Sequence, residues 1–132
     1  KEEGGHSVDL RNPRTGDPRV GYRVATLPTS LIANATDVVV FDSNAAEDAK
    51  LIVRKIMIDN RTGGTRRVII SDGTDNIYFI NGVPNGITTV YTEDDIPAVL
   101  VPTGRDISAQ TDVSAAAPNN MWVQLEIEKI TG

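Results

Sequence analysis

Short apolar runs separated by Gly, Asn, Asp and Pro make up the block Leu51–Ile130. Leu51–Asp59 is followed by a polar segment that contains two glycines, and Arg67–Ser71 is followed by Asp72-Gly73. Short runs bounded by turn residues at near-regular spacing are typical of β-sandwiches and β-barrels. The pattern therefore predicts an all-β domain in which the apolar runs are strands.

Two runs alternate in a way that predicts which side chains share a face, because successive residues of a strand point to opposite sides. In Leu51–Asp59 one face holds Ile52, Ile56 and Ile58, and the other holds Val53, Lys55 and Met57. In Met121–Ile130 one face holds Met121, Val123, Leu125 and Ile127, and the other holds Trp122, Gln124, Glu126 and Glu128. The second run thus predicts a strand with one buried and one solvated face.

The remaining runs complete a set of about eight strands with almost no helix. Arg67–Ser71 and Ile77–Ile80 are expected to form a hairpin around Asp72-Gly73, a turn pair that tolerates positive φ. Ala25–Ile32 is expected to be an edge or irregular strand because it contains Pro28, and Thr36–Asp42 is expected to be a buried strand. The other expected strands are Thr88–Thr92, Ala98–Val101 and Asp106–Thr111. The favoured fold is an antiparallel, jelly-roll-like β-sandwich, with an immunoglobulin-like sandwich as the alternative.

The first 24 residues differ from the rest, because they are rich in glycine and charge and hold no lasting period. A disordered tail is one interpretation. The other is an extended arm over 1–24 that orders against a neighbouring subunit, ahead of a β-sandwich domain over 25–132. Alternation of Val8, Leu10, Val20, Tyr22 and Val24 favours a strand added to a partner's edge, and Arg11, Arg14, Arg19 and Arg23 are able to pair with a partner's carboxylates. The expected partner-binding residues are Val8, Leu10, Arg11, Arg14, Arg19 and Tyr22.

The amino-acid composition excludes several classes of function but assigns none. The chain has 132 residues, which predicts one domain, and its formal net charge of -5 argues against nucleic acid as the main partner. Cysteine is absent, so thiolate metal sites and thiol nucleophiles are excluded. No apolar run reaches the roughly 18 residues of a membrane span, and no apolar signal segment begins the chain.

No residue pattern predicts catalysis, so we expect no enzyme, no cofactor and no metal site. His6 is the only histidine and lies in a glycine-rich terminus, which is a poor platform for a general base. The acidic segments Asp72–Asn76, Glu93–Asp95 and Asp42–Asp48 offer oxygen ligands for calcium, but Asp-Gly and Asn-Gly also suit tight turns, which we favour. Asn60-Arg61-Thr62 matches the glycosylation pattern, and such short matches arise often by chance.

One stretch, Lys50–Asn60 followed by Arg67–Gly73, resembles a recurrent pattern of tailed-phage structural proteins: an apolar strand with Lys, Ile and Asn at alternate positions, then a hairpin strand ending in Asp-Gly. Gly104–Ala109 and Trp122–Glu128 fill the places of the later strands, so the resemblance covers about three-fifths of the chain. It is closest to capsid decoration (cement) proteins and next to tail or fibre modules.

The resemblance implies a bacteriophage virion structural protein, a β-sandwich homotrimer on the capsid surface. Its expected partners are the major capsid protein and neighbouring copies of itself, and its expected effect is capsid stabilisation through many weak contacts. Two alternatives stay open. One is a receptor- or glycan-binding module of a tail or fibre, with loops around Tyr78, Tyr91 or Trp122 that bind sugar, and the other is a self-assembling surface filament subunit.

Overall fold

The computed structural model describes residues 20–31, 36–43, 49–102, 104–112 and 121–131, which form ten strands and no helix. The strands are β1 (Val20–Ala25), β2 (Thr29–Ser30), β3 (Val38–Phe41), β4 (Ala49–Asn60), β5 (Arg66–Ser71), β6 (Asn76–Val83), β7 (Thr88–Tyr91), β8 (Leu100–Val101), β9 (Ile107–Thr111) and β10 (Met121–Thr131). The expected hairpin of Arg67–Ser71 and Ile77–Ile80 corresponds to β5 and β6. The prediction of an all-β, antiparallel sandwich is confirmed.

Two antiparallel sheets make up the sandwich. The first has the order β1-β10-β4-β7, with β2 also paired to β10 and β8 also paired to β4. The second has the order β3-β9-β5-β6. The pairs β1–β10, β3–β9, β4–β8 and β5–β6 are therefore nested in sequence around the β5–β6 hairpin. Consequently β10, the last strand, lies beside the first strand of the described chain.

The core lies between the sheets and takes side chains from both. In β10 the predicted alternation is confirmed, because Met121, Val123, Leu125 and Ile127 are fully buried. Ile70 of β5 and Ile107 of β9 belong to the same apolar cluster from the second sheet. Each fully buried aliphatic side chain of this size contributes about 1.5–3 kcal/mol relative to an exposed one. Burial of this kind, rather than any crosslink, holds the two sheets together.

A β-bulge in β4 overturns the predicted faces of that strand. Lys55 is opposite Glu126, whereas the next β10 residue, Ile127, is opposite Val53, so Arg54 is an extra residue without a partner in the register. A bulge of one residue shifts the alternation by one position. Val53 is therefore in the core with Ile56 and Ile58, and not with Lys55 and Met57 as predicted. Ile52, expected beside Ile56, is absent from the core cluster.

The turn of the β5–β6 hairpin is built on Asp72-Gly73, as the sequence predicts. Gly73 has a φ of 88°, a left-handed conformation that glycine adopts without steric cost. Asp72 Oδ1 accepts hydrogen bonds from the backbone N–H groups of Thr74 (2.9 Å) and Asp75 (2.7 Å). Arg105 Nη1 donates to Asp72 Oδ2 at 2.9 Å and so joins the turn to the segment before β9.

Strand β3 is an edge strand and not the buried strand that its continuous apolar run predicts. It pairs only with β9 among the described residues, and its side chains alternate in burial. Val39 is 48% exposed, whereas Val40 is buried. An unbroken run of β-branched residues indicates a strand, but it does not by itself give the number of covered faces.

Candidate interaction face

The outward side of the first sheet, hereafter the outer face, presents cross-strand rows of side chains that differ in character. One end has the rows Ser30–Trp122–Asp59–Thr88 and Gln124–Met57–Val90. The other end has the rows Ala25–Glu126–Lys55 and Arg23–Glu128. Directly opposed side chains on a sheet are neighbours, so the residues of each row lie together. The outer face therefore has a mainly uncharged half, formed by the first two rows, and a charged half, formed by the other two.

An ion-pair network covers the charged half. Arg23 contacts Glu93 at 2.7 Å and Glu126 at 3.0 Å, and Arg54 contacts Glu128 at 2.7 Å and Glu93 at 3.5 Å. The hydrogen bond with Arg23 lowers the pKa of Glu93 against the opposing effect of burial, and the same bond raises the pKa of Arg23. The Arg54 and Glu128 side chains are only 14% and 15% exposed. The bulge in β4 makes this arrangement possible, because it adds Arg54 to the outer face.

The mainly uncharged half contains a groove beside Trp122. It has a volume of about 330 Å³ and is lined by Pro28, Met57, Asp59, Thr88, Trp122 and Gln124. Trp122 is 39% exposed, and Val90, in the next row of the sheet, is exposed as well. An exposed Trp with aliphatic neighbours makes this half of the outer face a candidate interaction surface.

β1 and β2 both pair with β10, and the segment between them, where this pairing is interrupted, forms one wall of the groove. Thr26 holds the break together, because its N–H donates to Leu125 O at 2.8 Å and its Oγ1 accepts from Leu125 N at 2.9 Å. Gln124 Nε2 donates to Thr26 O at 2.9 Å, which fixes the Gln124 amide at the edge of the groove. Leu27 and Pro28 follow and are exposed, and Pro28 lines the groove together with Trp122.

The predicted partner-binding residues fall mostly outside the described residues. Val8, Leu10, Arg11, Arg14 and Arg19 all do. Tyr22 belongs to β1, where its backbone is opposite Lys129 of the same chain. β1 runs across the expected boundary between arm and sandwich at Val24, since it continues to Ala25.

Arg23 differs from the sequence interpretation, which assigned it to carboxylates of a partner. It pairs with Glu93 and Glu126 of its own chain. The reason is topological: β1 pairs with β10 in the same sheet, and Arg23 is opposite Glu128, one row from Glu126. The sequence gives the alternation of this strand but not the strand that it pairs with.

Only one of the three aromatic residues considered for sugar binding has the exposure that a platform needs. Tyr78 is buried, and its hydroxyl donates to Pro97 O at 2.6 Å. Burial also raises the pKa of Tyr78. Tyr91 is half-buried and packs against the core. Trp122 remains, together with groove residues on β4 and β10 that sequence reasoning missed. Its position on the polar side of β10 was the available signal.

The polar loop residues considered as ligand or modification sites have structural partners. Asp72 is occupied by two N–H groups and Arg105, and these bonds outweigh burial and lower its pKa. Asp95 Oδ2 accepts from Thr92 N at 2.8 Å. Of the segment Asp42–Asp48, residues 44–48 lie outside the described part of the chain. In the described part of the chain, no group of three or more His, Asp or Glu residues is placed to hold a metal ion.

Asn60, the candidate glycosylation site, is fully buried. Its Nδ2 donates to Gly64 O at 2.9 Å and to Val83 O at 3.0 Å, so both amide hydrogens are used. Its Oδ1 accepts from Thr62 N and Thr62 Oγ1, at 3.0 and 2.7 Å. This side chain therefore joins the β4–β5 loop to the end of β6 and is inaccessible for modification.

Comparison with known proteins gives distant likenesses. No family model and no curated protein matches the chain. A solved structure from the Bacillus endospore appendages, described as disulfide-linked pili, has a TM-score of 0.45 and 16% identity over 86% of this chain and 89% of that chain. The virus-like particle of the extra small virus of the giant freshwater prawn Macrobrachium rosenbergii has a TM-score of 0.36 and 12% identity over 98% and 92%.

Both proteins are parts of assemblies, pili in one case and a virus-like particle in the other. At TM-scores below 0.5 these likenesses do not establish what this chain does. Among the described residues, no helix has the length and apolar character to span a membrane.

Proposed function

We propose that this chain is a structural subunit of a virion, a bacteriophage capsid decoration (cement) protein. It forms a homotrimer on the capsid surface and stabilises the capsid lattice through contacts with the major capsid protein and with neighbouring copies. The observation that carries the proposal is the edge strand β1. Its six residues pair with β10 without a register shift, and among the described residues no strand pairs with its other side.

An edge strand of this kind is suited to subunit contacts. Proteins that avoid edge-to-edge association shorten such strands or interrupt them with proline, bulges or inward-pointing charges. β1 contains no proline and no bulge, and its single charged residue, Arg23, forms ion pairs on the outer face. A strand from another subunit therefore has a row of backbone donors and acceptors to meet.

The 19 residues before Val20 are the proposed arm, and they bind a neighbouring subunit. Val8 and Leu10 supply alternate apolar contacts, while Arg11, Arg14 and Arg19 pair with carboxylates. Tyr22, in the edge strand itself, belongs to the surface that receives a partner's strand. The chain from Val20 onward carries the whole net charge of -5, so the arm as a whole is neutral. Its three arginines, Arg11, Arg14 and Arg19, are the groups that are electrostatically matched to an acidic partner surface.

The nested strand pairs support a jelly-roll winding, which is how a long hairpin rolls up into two sheets. Jelly rolls occur in viral capsid proteins, although the same architecture also serves lectins and cupins. Fold class alone does not assign a function. The weight of the proposal therefore rests on the β1 edge and the arm.

A self-assembling surface filament subunit is the second candidate, because the same edge and arm would join subunits end to end. Negative-stain electron microscopy of the concentrated full chain separates the two. Discrete trimers favour the decoration protein, and filaments favour the alternative. The double variant V8D/L10D should reduce either assembly, whereas the control S7A/N12A, which lies in the same segment and leaves the charge unchanged, should assemble as the parent does.

A further inference from the structure

We propose that the groove beside Trp122 is a binding site for a neutral oligosaccharide. The proposal concerns a surface other than the β1 edge and does not depend on the assembly role. It rests on three properties of the groove: an exposed aromatic ring, hydrogen-bonding groups around it, and the absence of net positive charge among its lining residues.

The aromatic ring supplies the apolar contact. Trp122 is 39% exposed and has Met57 one row away and Pro28 at the wall. A pyranose ring has an apolar face of C–H groups, and the face of an indole, which carries partial negative charge, is complementary to it. The groove volume of about 330 Å³ is at the lower end of the roughly 300–1,000 Å³ found for ligand pockets.

The polar groups supply the directed contacts that a sugar needs. Asp59 uses Oδ1 to accept from Arg61 at 2.8 Å, which leaves Oδ2 without a partner among the described residues. Gln124 uses Nε2 on Thr26 O, and Thr88 has no side-chain hydrogen bond in the described part of the chain. Carboxylate and amide oxygens accept from sugar hydroxyl groups, and the Thr88 hydroxyl both donates and accepts.

The charge of the groove selects against other ligands. Asp59 is the only charged residue of its lining, and Arg61 already compensates it. A phosphate or an acidic peptide would meet no free cation there. The ion pairs of Arg23 and Arg54 lie in the charged half of the outer face and are already formed. A neutral ligand with hydroxyl groups and an apolar face fits this combination.

Trp122 is the only tryptophan of the chain, so its fluorescence reports on the groove directly. The full chain is titrated with maltohexaose, cellohexaose and chitohexaose up to about 10 mM, a range that includes Kd values near 1 mM. We expect at least one of these sugars to produce a saturable change in Trp emission. No saturable change with any of the three overturns the proposal.

Two groove variants and one control locate the site. Titration calorimetry of Trp122→Ala with the sugar that binds should show affinity reduced about tenfold or more, as expected for a central aromatic contact. Asp59→Asn, which keeps the fluorophore, should weaken binding about threefold to tenfold. Phe79→Ala, at an exposed aromatic position of the second sheet, should bind as the parent does. Equal affinity in the parent, Trp122→Ala and Asp59→Asn overturns the assignment to this groove.

The same samples test the rival occupant, a second copy of the chain. If Trp emission changes with protein concentration alone, and light scattering shows a higher mass that Trp122→Ala lowers, the groove is covered by a subunit and the proposal is wrong. V8D/L10D should bind the sugar as the parent does, so failure of the assembly proposal is distinguishable from failure of this one.

Discussion

At the ends of two strands, a single polar side chain bonds to the backbone groups that are no longer paired within the sheet, and so fixes the path of the chain. Asn60 is the clearest case, because its one amide bonds to three groups of the β4–β5 loop and to the carbonyl of Val83 at the end of β6. Thr26 does the same at the break between β1 and β2. Neither residue is apolar, and neither stands out in the hydrophobic pattern. At these positions the satisfaction of buried backbone groups, and not burial of carbon, is the dominant contribution.

Replacement of Asn60 with alanine is expected to lower the free energy of unfolding by about 2–4 kcal/mol, because buried carbonyl and N–H groups lose their partners. Chemical denaturation measures the change. Asn81→Ala, at an exposed position of β6, is the control and should change stability by less than about 0.5 kcal/mol. Equal stability of the two variants would contradict the role of Asn60.

Asp72→Asn is expected to destabilise the chain at neutral pH by about 1–3 kcal/mol, because the amide loses the charge-assisted bond with Arg105. The pKa of Asp72 is lowered by folding, so its stabilising effect is present above the unfolded pKa of about 3.9 and is lost as pH falls through the folded pKa. The difference between parent and variant should therefore shrink below about pH 4.

Thermal denaturation between pH 2 and 7 measures this difference. The control is Asp94→Asn, at an exposed position of the β7–β8 loop, which should behave like the parent. A constant difference across the pH range would contradict the assignment.

Among the strands, the hydrophobic pattern predicted where each strand lies in the sequence better than it predicted which strands are neighbours and which faces are buried. The alternation of β10 and the turn at Asp72-Gly73 follow from local periodicity and turn chemistry, and both are as predicted. The bulge at Arg54 has no such signature, because an extra residue inside a strand looks like any other residue. Strand neighbours are equally invisible locally, which is why the pairing of β1 with β10 and the groove between β4 and β10 were missed.

Because of the bulge, Val53 and Lys55 lie on opposite faces of β4, whereas unbroken alternation would place them on the same face. Val53→Ala should cost about 2 kcal/mol, since it removes buried carbon from the core, whereas Lys55→Ala should change stability by less than about 0.5 kcal/mol. Urea unfolding of the two variants decides between the faces. A small effect of Val53→Ala, similar to that of Lys55→Ala, would restore the unbroken alternation and contradict the bulge.

At the scale of the whole molecule, the outer face and the β1 edge are separate surfaces of one sandwich. The edge is made of backbone groups and suits a partner strand. The outer face carries ion pairs at one end and the Trp122 groove at the other, and suits a ligand. A subunit that assembles through its edge keeps this face available. Composition alone predicted neither surface, because both depend on which strands are neighbours.

The central claim is that this chain acts as an assembled structural subunit. The most direct test is the light-scattering mass of the purified full chain, measured over a range of concentrations beside V8D/L10D. We predict a mass that is a multiple of the 14.2 kDa chain, a trimer for the decoration protein, and a lower assembly state for the variant. A full chain that stays at 14.2 kDa at every concentration would contradict it.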